Sequence, residues 1–332
     1  MTLKARKIGN TIVSPIGFGA MGISAFYGAV GTDEERFKVL DAAYEANSRH
    51  WDTADVYGDS EELIGKWFAK TGKRNDIFLA TKFGITGQGA DGSPEYMHQE
   101  FDQSLKRLGV DYVDLYYLHR PAKDVPIEVT VGAMAGLVKQ GKVKYLGISE
   151  CNANDLRRAH AVHPISAYQV EYSPLYLDIE KDGTLDVCRE LGITVVAYSP
   201  LARGIITGQY KSPDDFEDSD GRRLIPKFSK ENYSLILGLV DKLAAIGARY
   251  GATASQVTLA WILAQGDDIV TIPGTKKVKY LHENMGGLNV LKQLTIEELA
   301  TIRQHINEVN LAGDRYPPAL MSLVGHETPA LP

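Results

Sequence analysis

Apolar and polar positions along this chain follow two periods in turn. Short runs rich in β-branched and aromatic residues recur at Pro15–Gly19, His50–Ala54, Ile77–Lys82, Val113–His119, Lys144–Ser149, Ala167–Ser173, Thr194–Pro200 and Ile269–Gly274, each of strand length. Between them apolar residues recur three and four apart, the spacing of an amphipathic helix. In Asp33–Asn47 the stripe is Phe37, Leu40, Ala43 and Tyr44, and Thr32 with Glu35 has the form of a capping box just before it. Similar stripes run through Ser60–Lys70, Pro94–Leu108, Ile127–Gln140, Ala153–Val162, Thr184–Leu191, Lys230–Tyr250, Thr253–Gln265 and Thr295–Val309.

Strands that alternate with helices pair in parallel through crossover helices, and eight parallel strands close into a barrel. No glycine- or serine-rich linker divides the 332 residues. The predicted fold class is therefore α/β, a single (β/α)₈ TIM barrel spanning residues 1–332. Three segments break the alternation: Gly-rich Phe83–Ser93, Leu201–Phe228 and the tail Asn310–Pro332. Long loops that follow strands emerge at the C-terminal face, where barrels build their sites. These segments are expected to act as lids, with 310–332 lying over the site.

Composition narrows the function. With 44% hydrophobic residues the chain has material for a large core, and a formal charge of −6 offers no basic field for nucleic acid or an anionic membrane. No run approaches the ~18 apolar residues of a membrane span, and the N-terminus has no apolar signal core. Two cysteines, Cys151 and Cys188, are expected to be buried packing residues of a cytoplasmic protein.

Gly17-Phe-Gly19-Ala-Met-Gly22 matches a dinucleotide fingerprint after a strand, but Gly22 leads into a loop and the helix waits until Asp33. The pyrophosphate would lack a helix N-terminus in the right place, so the match is read as a decoy. A second constellation carries more chemistry. Asp52 lies on the second strand and Tyr57 in the loop after it; Lys82 and His119 end the third and fourth strands. On a barrel these four groups converge at the C-terminal mouth. A phenol of free pKa near 10 can protonate an alkoxide if an ammonium favours its anion, and a carboxylate keeps that ammonium charged. A neighbouring imidazole can orient the oxygen. Such a set suits hydride transfer to a carbonyl, with Lys82 expected to lower the pKa of Tyr57.

Asp52-Thr-Ala-x-x-Tyr57-Gly, Ala-Thr-Lys82-Phe and Asp-Leu-Tyr-Tyr-Leu-His119 resemble the catalytic tetrad of the aldo-keto reductase family, by residue and by order, and the resemblance covers essentially the whole chain. It is greatest to fungal and plant NADPH-dependent members, whose tails share the Arg-Tyr-Pro-Pro of Arg315–Pro318. The resemblance implies a barrel that uses NADPH without a Rossmann domain and reduces aldehydes or ketones. Asp52, Tyr57, Lys82 and His119 would be catalytic. Gly19, Met21 and Asp52 would approach the cofactor, and Ser149 and Gln169 would hold its carboxamide. Tyr198 would stack on the nicotinamide, Ser199, Leu201 and Gly204 would approach the pyrophosphate, and Gly274, Lys276, Lys277, Glu283 and Asn284 would hold the adenosine end.

Lys276, Lys277 and Lys279 also stand at the start of a helix behind a strand end, where lysine charge and helix dipole both favour a phosphate. That cluster leans toward NADPH over NADH. Glu150 stands where many family members have Asn, and a carboxylate cannot donate to the carboxamide. Phe26, Tyr27 and Phe83 are expected pocket walls by their loop positions, beside Met21. Two other readings stay open: a cofactor-binding sensor with weak turnover, and a metal-dependent hydrolase using His50, Asp52 and His119. The partner expected is a small carbonyl compound; oligomeric state is not legible.

Overall fold

A computed structural model describes residues 4–218 and 220–331. The ends of the predicted 1–332 span, Ser219 in the 201–228 loop and Pro332 of the tail lie outside the described residues. All eight expected strands form, as β1 (Phe18–Gly19), β2 (His50–Asp52), β3 (Phe78–Phe83), β4 (Val113–Leu118), β5 (Val143–Ser149), β6 (Ile165–Glu171), β7 (Thr194–Tyr198) and β8 (Ile269–Thr271). They pair in parallel in sequence order. The ends of the sheet meet where Ile16 bridges Thr271, with Gly17 N donating to Thr271 O at 2.7 Å and Thr271 N to Pro15 O at 2.9 Å. The sheet thereby curls round into the predicted barrel.

Strand parity divides the apolar residues into two cores. Phe78 and Ala80, Leu115 and Tyr117, Ala167, Val196, Val270 and Ile272 point into the barrel. The residues between them, such as Leu79, Tyr116, Leu146, Tyr168 and Val195, point outward against the helices. An N-terminal hairpin, Arg6–Ile8 with Thr11–Val13, closes the bottom through Ile8 and Val13. Because the inward series on each strand runs upward in steps of two, its uppermost members form the floor of the C-terminal mouth. They are Asp52, Lys82, His119, Ser149, Gln169, Tyr198 and Gly274. Gly147 makes room inside: a Cβ there would stand 2.4 Å from the Tyr117 ring.

The helices follow expectation with frayed ends. The Thr32 capping box forms, Glu35 N donating to Thr32 Oγ1 at 3.3 Å and Thr32 N to Glu35 Oε2 at 3.0 Å. Two long helices follow β7, Lys230–Ala248 and Ala254–Leu263, and Val278–Gln293 follows β8. The 201–228 loop is a chain of short 3₁₀ turns, and the 83–93 loop holds a small hairpin, Ile85–Thr86 with Gly89–Ala90. After Gly19 the chain makes one helical turn, Met21–Ser24, where a plain loop was expected. That turn is far shorter than the helix a dinucleotide fingerprint requires. Among the described residues no helix is long and apolar enough to cross a membrane, and Cys151 and Cys188 are both buried and free.

Candidate active site

The four groups expected at the barrel mouth are in mutual contact. Asp52 and Lys82 form an ion pair buried to 2% and 0% exposure. Lys82 Nζ also donates to Thr53 O at 2.7 Å and to the Tyr57 hydroxyl at 3.3 Å. Tyr57 OH stands 3.5 Å from His119 Nε2, the two rings meeting edge to face. Gln169 Nε2 donates to Asp52 Oδ2 at 2.8 Å, so this residue braces the carboxylate.

Electrostatics assign these groups distinct states. Burial works against the charge of Lys82, but Asp52 and Tyr57 outweigh it and hold its pKa above the usual lysine value. Burial, with Arg120 and Lys82 adding to it, pushes the His119 pKa well below the ordinary imidazole range; the ring is neutral. For Tyr57 the direction differs from the sequence expectation. Lys82 does pull its pKa down, yet burial of the phenol raises it further, leaving it above 10. Tyr57 therefore holds its proton, with the Lys82 ammonium at 3.3 Å opposing the effect of burial.

A cavity of about 880 Å³ opens above this cluster, near the top of the ~300–1,000 Å³ range of small-molecule sites. Its wall includes Asp52, Tyr57 and His119, then Gly19, Met21, Ser149, Gln169, Tyr198, Ser199, Leu201 and Gly204, and finally Gly274, Lys276, Lys277, Glu283 and Asn284. Phe26 and Tyr27 line it too, Phe26 lying edge-on to Tyr57. Lys82 is fully buried in that floor, is not itself part of the cavity wall, and reaches the cavity through Tyr57. Phe83 is not a wall: it is fully buried and stacks on Tyr116 between sheet and helices. Strand parity is the reason, since a residue next to inward-pointing Lys82 must point outward.

Several of these residues have structural duties that sequence did not show. Gly19 and Gly274 permit the close crossing of the first and last strands; a Cβ on Gly274 would meet Gly19 O at 2.7 Å. Lys276 Nζ donates to Tyr27 O and, at 2.9 Å, to Ala29 O, tying the loop after β1 across to β8. Lys277 is exposed at the start of the Val278–Gln293 helix, which has no side-chain cap. Glu283 accepts from Thr253 Oγ1 at 2.8 Å.

Glu150 does not offer its carboxylate to the cavity. Its backbone is left-handed, φ +60°, a conformation that suits Asn better than Glu. Both its oxygens are taken by Arg315 of the tail, and Tyr198 OH donates to Oε1 at 2.7 Å. Tyr198 OH also lies 2.9 Å from Tyr316 OH. The tail then crosses the mouth, with Tyr316, Pro317, Leu320, Leu323 and Val324 in the cavity wall. It is pinned beyond by Thr328, whose amide donates to Asp155 Oδ2 at 2.9 Å. Sequence reasoning missed Arg120, Arg203, Arg222 and Tyr210 in this wall; only their places in loops after strands hinted at them. Among the described residues no group of three or more His, Cys, Asp or Glu is placed to hold a metal. His50 is instead sealed inside the barrel against Phe78.

A barrel that gathers a buried lysine–aspartate pair, a phenol and an imidazole at its C-terminal mouth matches the NADP-dependent oxidoreductases of one barrel family. The model of the Aldo/keto reductase family matches residues 15–307, and the chain belongs to that family. It is 59% identical over 339 aligned residues to the aldo-keto reductase str7 of Strobilurus tenacellus, covering 100% of both chains. To the aldo-keto reductase yakc [NADP(+)] of Schizosaccharomyces pombe it is 48% identical over 343, again covering 100% of both. Among solved structures it is similar to a glycerol dehydrogenase from Gluconobacter oxydans, with TM-score 0.82 and 26% identity over 93% of this chain and 97% of that one. The thermostable aldo-keto reductase Tm1743 superposes with TM-score 0.73 and 31% identity, over 92% and 100%.

Proposed function

We propose that the protein reduces an aldehyde or ketone to the alcohol as an NADPH-dependent oxidoreductase, with Tyr57 as general acid. The observation that carries this reading is the Tyr57 hydroxyl, within hydrogen-bond reach of both Lys82 Nζ and His119 Nε2 at the floor of the cavity. NADPH supplies the hydride when bound. The residues suit it: the cavity runs from the tetrad past Tyr198 to the N-terminus of Val278–Gln293, where Lys277 can meet an extra phosphate.

An oxygen set between Tyr57 OH and His119 Nε2 is oriented by the neutral imidazole and protonated by the phenol. The tyrosinate left behind is met by Lys82 Nζ, whose charge Asp52 maintains. Lys82 and Asp52 thus act through Tyr57, and Gln169 acts through Asp52. In the oxidative direction Tyr57 accepts the proton. We further assign the chain to one barrel domain in which residues 310–332 serve as the cover of the site.

The test is consumption of NADPH with an aromatic aldehyde, NADH run in parallel. NADPH is expected to be preferred, and Tyr57→Phe to lower turnover ~10²–10⁴-fold while cofactor fluorescence still reports binding. Comparable turnover in Tyr57→Phe would refute the acid assignment. Tight NADPH binding by the natural protein without turnover of any carbonyl would favour a sensor instead.

A further inference from the structure

Beside the tetrad lies a cation that the proposed reaction does not use. Arg120 follows His119 at the end of β4 and is only 8% exposed, yet it lines the cavity. Its Nη1 donates to His119 O at 2.7 Å and to Ser149 Oγ at 3.0 Å. Among the described residues nothing accepts from Nε or Nη2, and neither atom is sealed into the wall. Among the described residues no carboxylate stands within ion-pair distance of the guanidinium, whereas the other cavity arginines are paired, Arg203 with Glu171 and Arg222 with Asp220.

Burial works against the Arg120 cation, but at longer range Tyr198, Tyr316, Glu150 and Tyr57 outweigh it and hold its pKa high; among the described residues no carboxylate is left to pair with it directly. Glu150 and Glu171 face Arg203 and Arg315, each carboxylate already matched by a guanidinium. Arg120 is the third cation of a group with two anions. A buried guanidinium with open N–H groups is short of hydrogen-bond partners, and an anionic ligand supplies them. The cofactor's phosphates are poor candidates. The lysines expected to meet them follow β8, and in a closed eight-stranded barrel β8 and β4 stand on opposite sides of the mouth. The counter-charge must therefore arrive with the group that also reaches Tyr57 and His119.

We propose that Arg120 is a specificity-determining residue, and that the substrate is a carbonyl compound carrying a carboxylate near its carbonyl on an otherwise apolar frame. The inference rests on the reductase reading of the same site. A guanidinium with two open N–H groups suits the two oxygens of a carboxylate. One unmatched cation calls for a monoanion. The rest of this end of the cavity is apolar, from Phe26, Val56 and Ile85 on the loops to Leu320, Leu323 and Val324 on the tail.

The experiment compares kcat/KM for 3-carboxybenzaldehyde and its neutral methyl ester in the natural protein, in Arg120→Met and in Arg120→Lys. The acid-to-ester ratio is expected to fall about ten- to a hundred-fold in Arg120→Met, the loss of a charge-assisted hydrogen-bonded contact. Arg120→Lys, which keeps the charge and loses the fork, is expected to lie between. A role confined to holding Ser149 would change both substrates alike and raise the KM for NADPH, so an unchanged ratio overturns the proposal. Calorimetry of 3-carboxybenzyl alcohol and its methyl ester on the NADP⁺-loaded protein separates this inference from the reductase reading. Binding of the acid that depends on Arg120, without turnover, would sustain the site and refute the reaction. Equal binding of acid and ester would refute the site whatever the turnover. If Arg120→Met does not fold, Arg120→Lys decides by the same ratio.

Discussion

Replacing Glu150 by Gln should release the tail from the mouth of the barrel. The carboxylate is 3% exposed, and both oxygens are held by Arg315, with Tyr198 OH and Glu171 N also donating to Oε1. Burial opposes its charge, but Arg315 and its neighbours overcome that and bring the pKa from 4.5 down to about 2. A folded-state pKa below the unfolded one stabilises the fold above the unfolded value and stops doing so as pH falls through the folded value. The contribution, of order 3 kcal/mol, is thus whole at pH 7 and lost between about pH 4.5 and pH 2. Glu150→Gln keeps the acceptor for Tyr198 and removes the charge, leaving Arg315 with Glu171 at 3.7 Å. The tail stays tethered on either side, by Asn232 at Ala312 and by Asp155 at Thr328, so the opening is local. Hydrogen exchange at pH 7 reads it directly, because Gly325 N donates to Glu150 O at 3.0 Å. Amides of 315–325 should exchange about a hundred-fold faster in the variant, with β4 unchanged, and KM should rise because Tyr316 and Leu320 form cavity wall. Equal protection of Gly325 in both proteins would refute the reasoning.

Lys82→Met leaves Asp52 buried and unpaired, and urea unfolding should register a loss of ~3–5 kcal/mol. The double variant Asp52→Asn with Lys82→Met should regain part of it, and a failure to regain any would show that charge is not the cause. Gly147→Ala puts a methyl 2.4 Å from the Tyr117 ring and should cost ~1–3 kcal/mol in the same assay. Gly132→Ala, on the helix Ile127–Lys139 with nothing within 4 Å of the added carbon, should be stabilising by up to ~1 kcal/mol.

Features that depend on local period and residue type can be read from the chain without its fold. Runs of period two separated by stripes of period 3.6 are properties of neighbouring residues, and they yielded eight strands, the barrel and the capping box at Thr32. The same parity places Lys82 inward, so the outward turn of Phe83 was legible too, and treating Phe83 as a wall ignored it. The convergence of Asp52, Tyr57, Lys82 and His119 was legible because their residue types and positions at or just after strand ends lie in short words of sequence. Partnership across the fold was not. Gln169 meets Asp52, Arg315 meets Glu150 and Lys276 meets the carbonyls of Tyr27 and Ala29, pairs brought together only when the barrel closes and the tail crosses its mouth. The state of Tyr57 was decided the same way. Its neighbour Lys82 was visible in sequence, but burial is a sum over everything packed around the phenol, and that sum outweighs the ammonium. Arg120 has nothing in its local sequence to mark it; its lack of a counter-charge exists only once every other guanidinium at the mouth has taken a carboxylate.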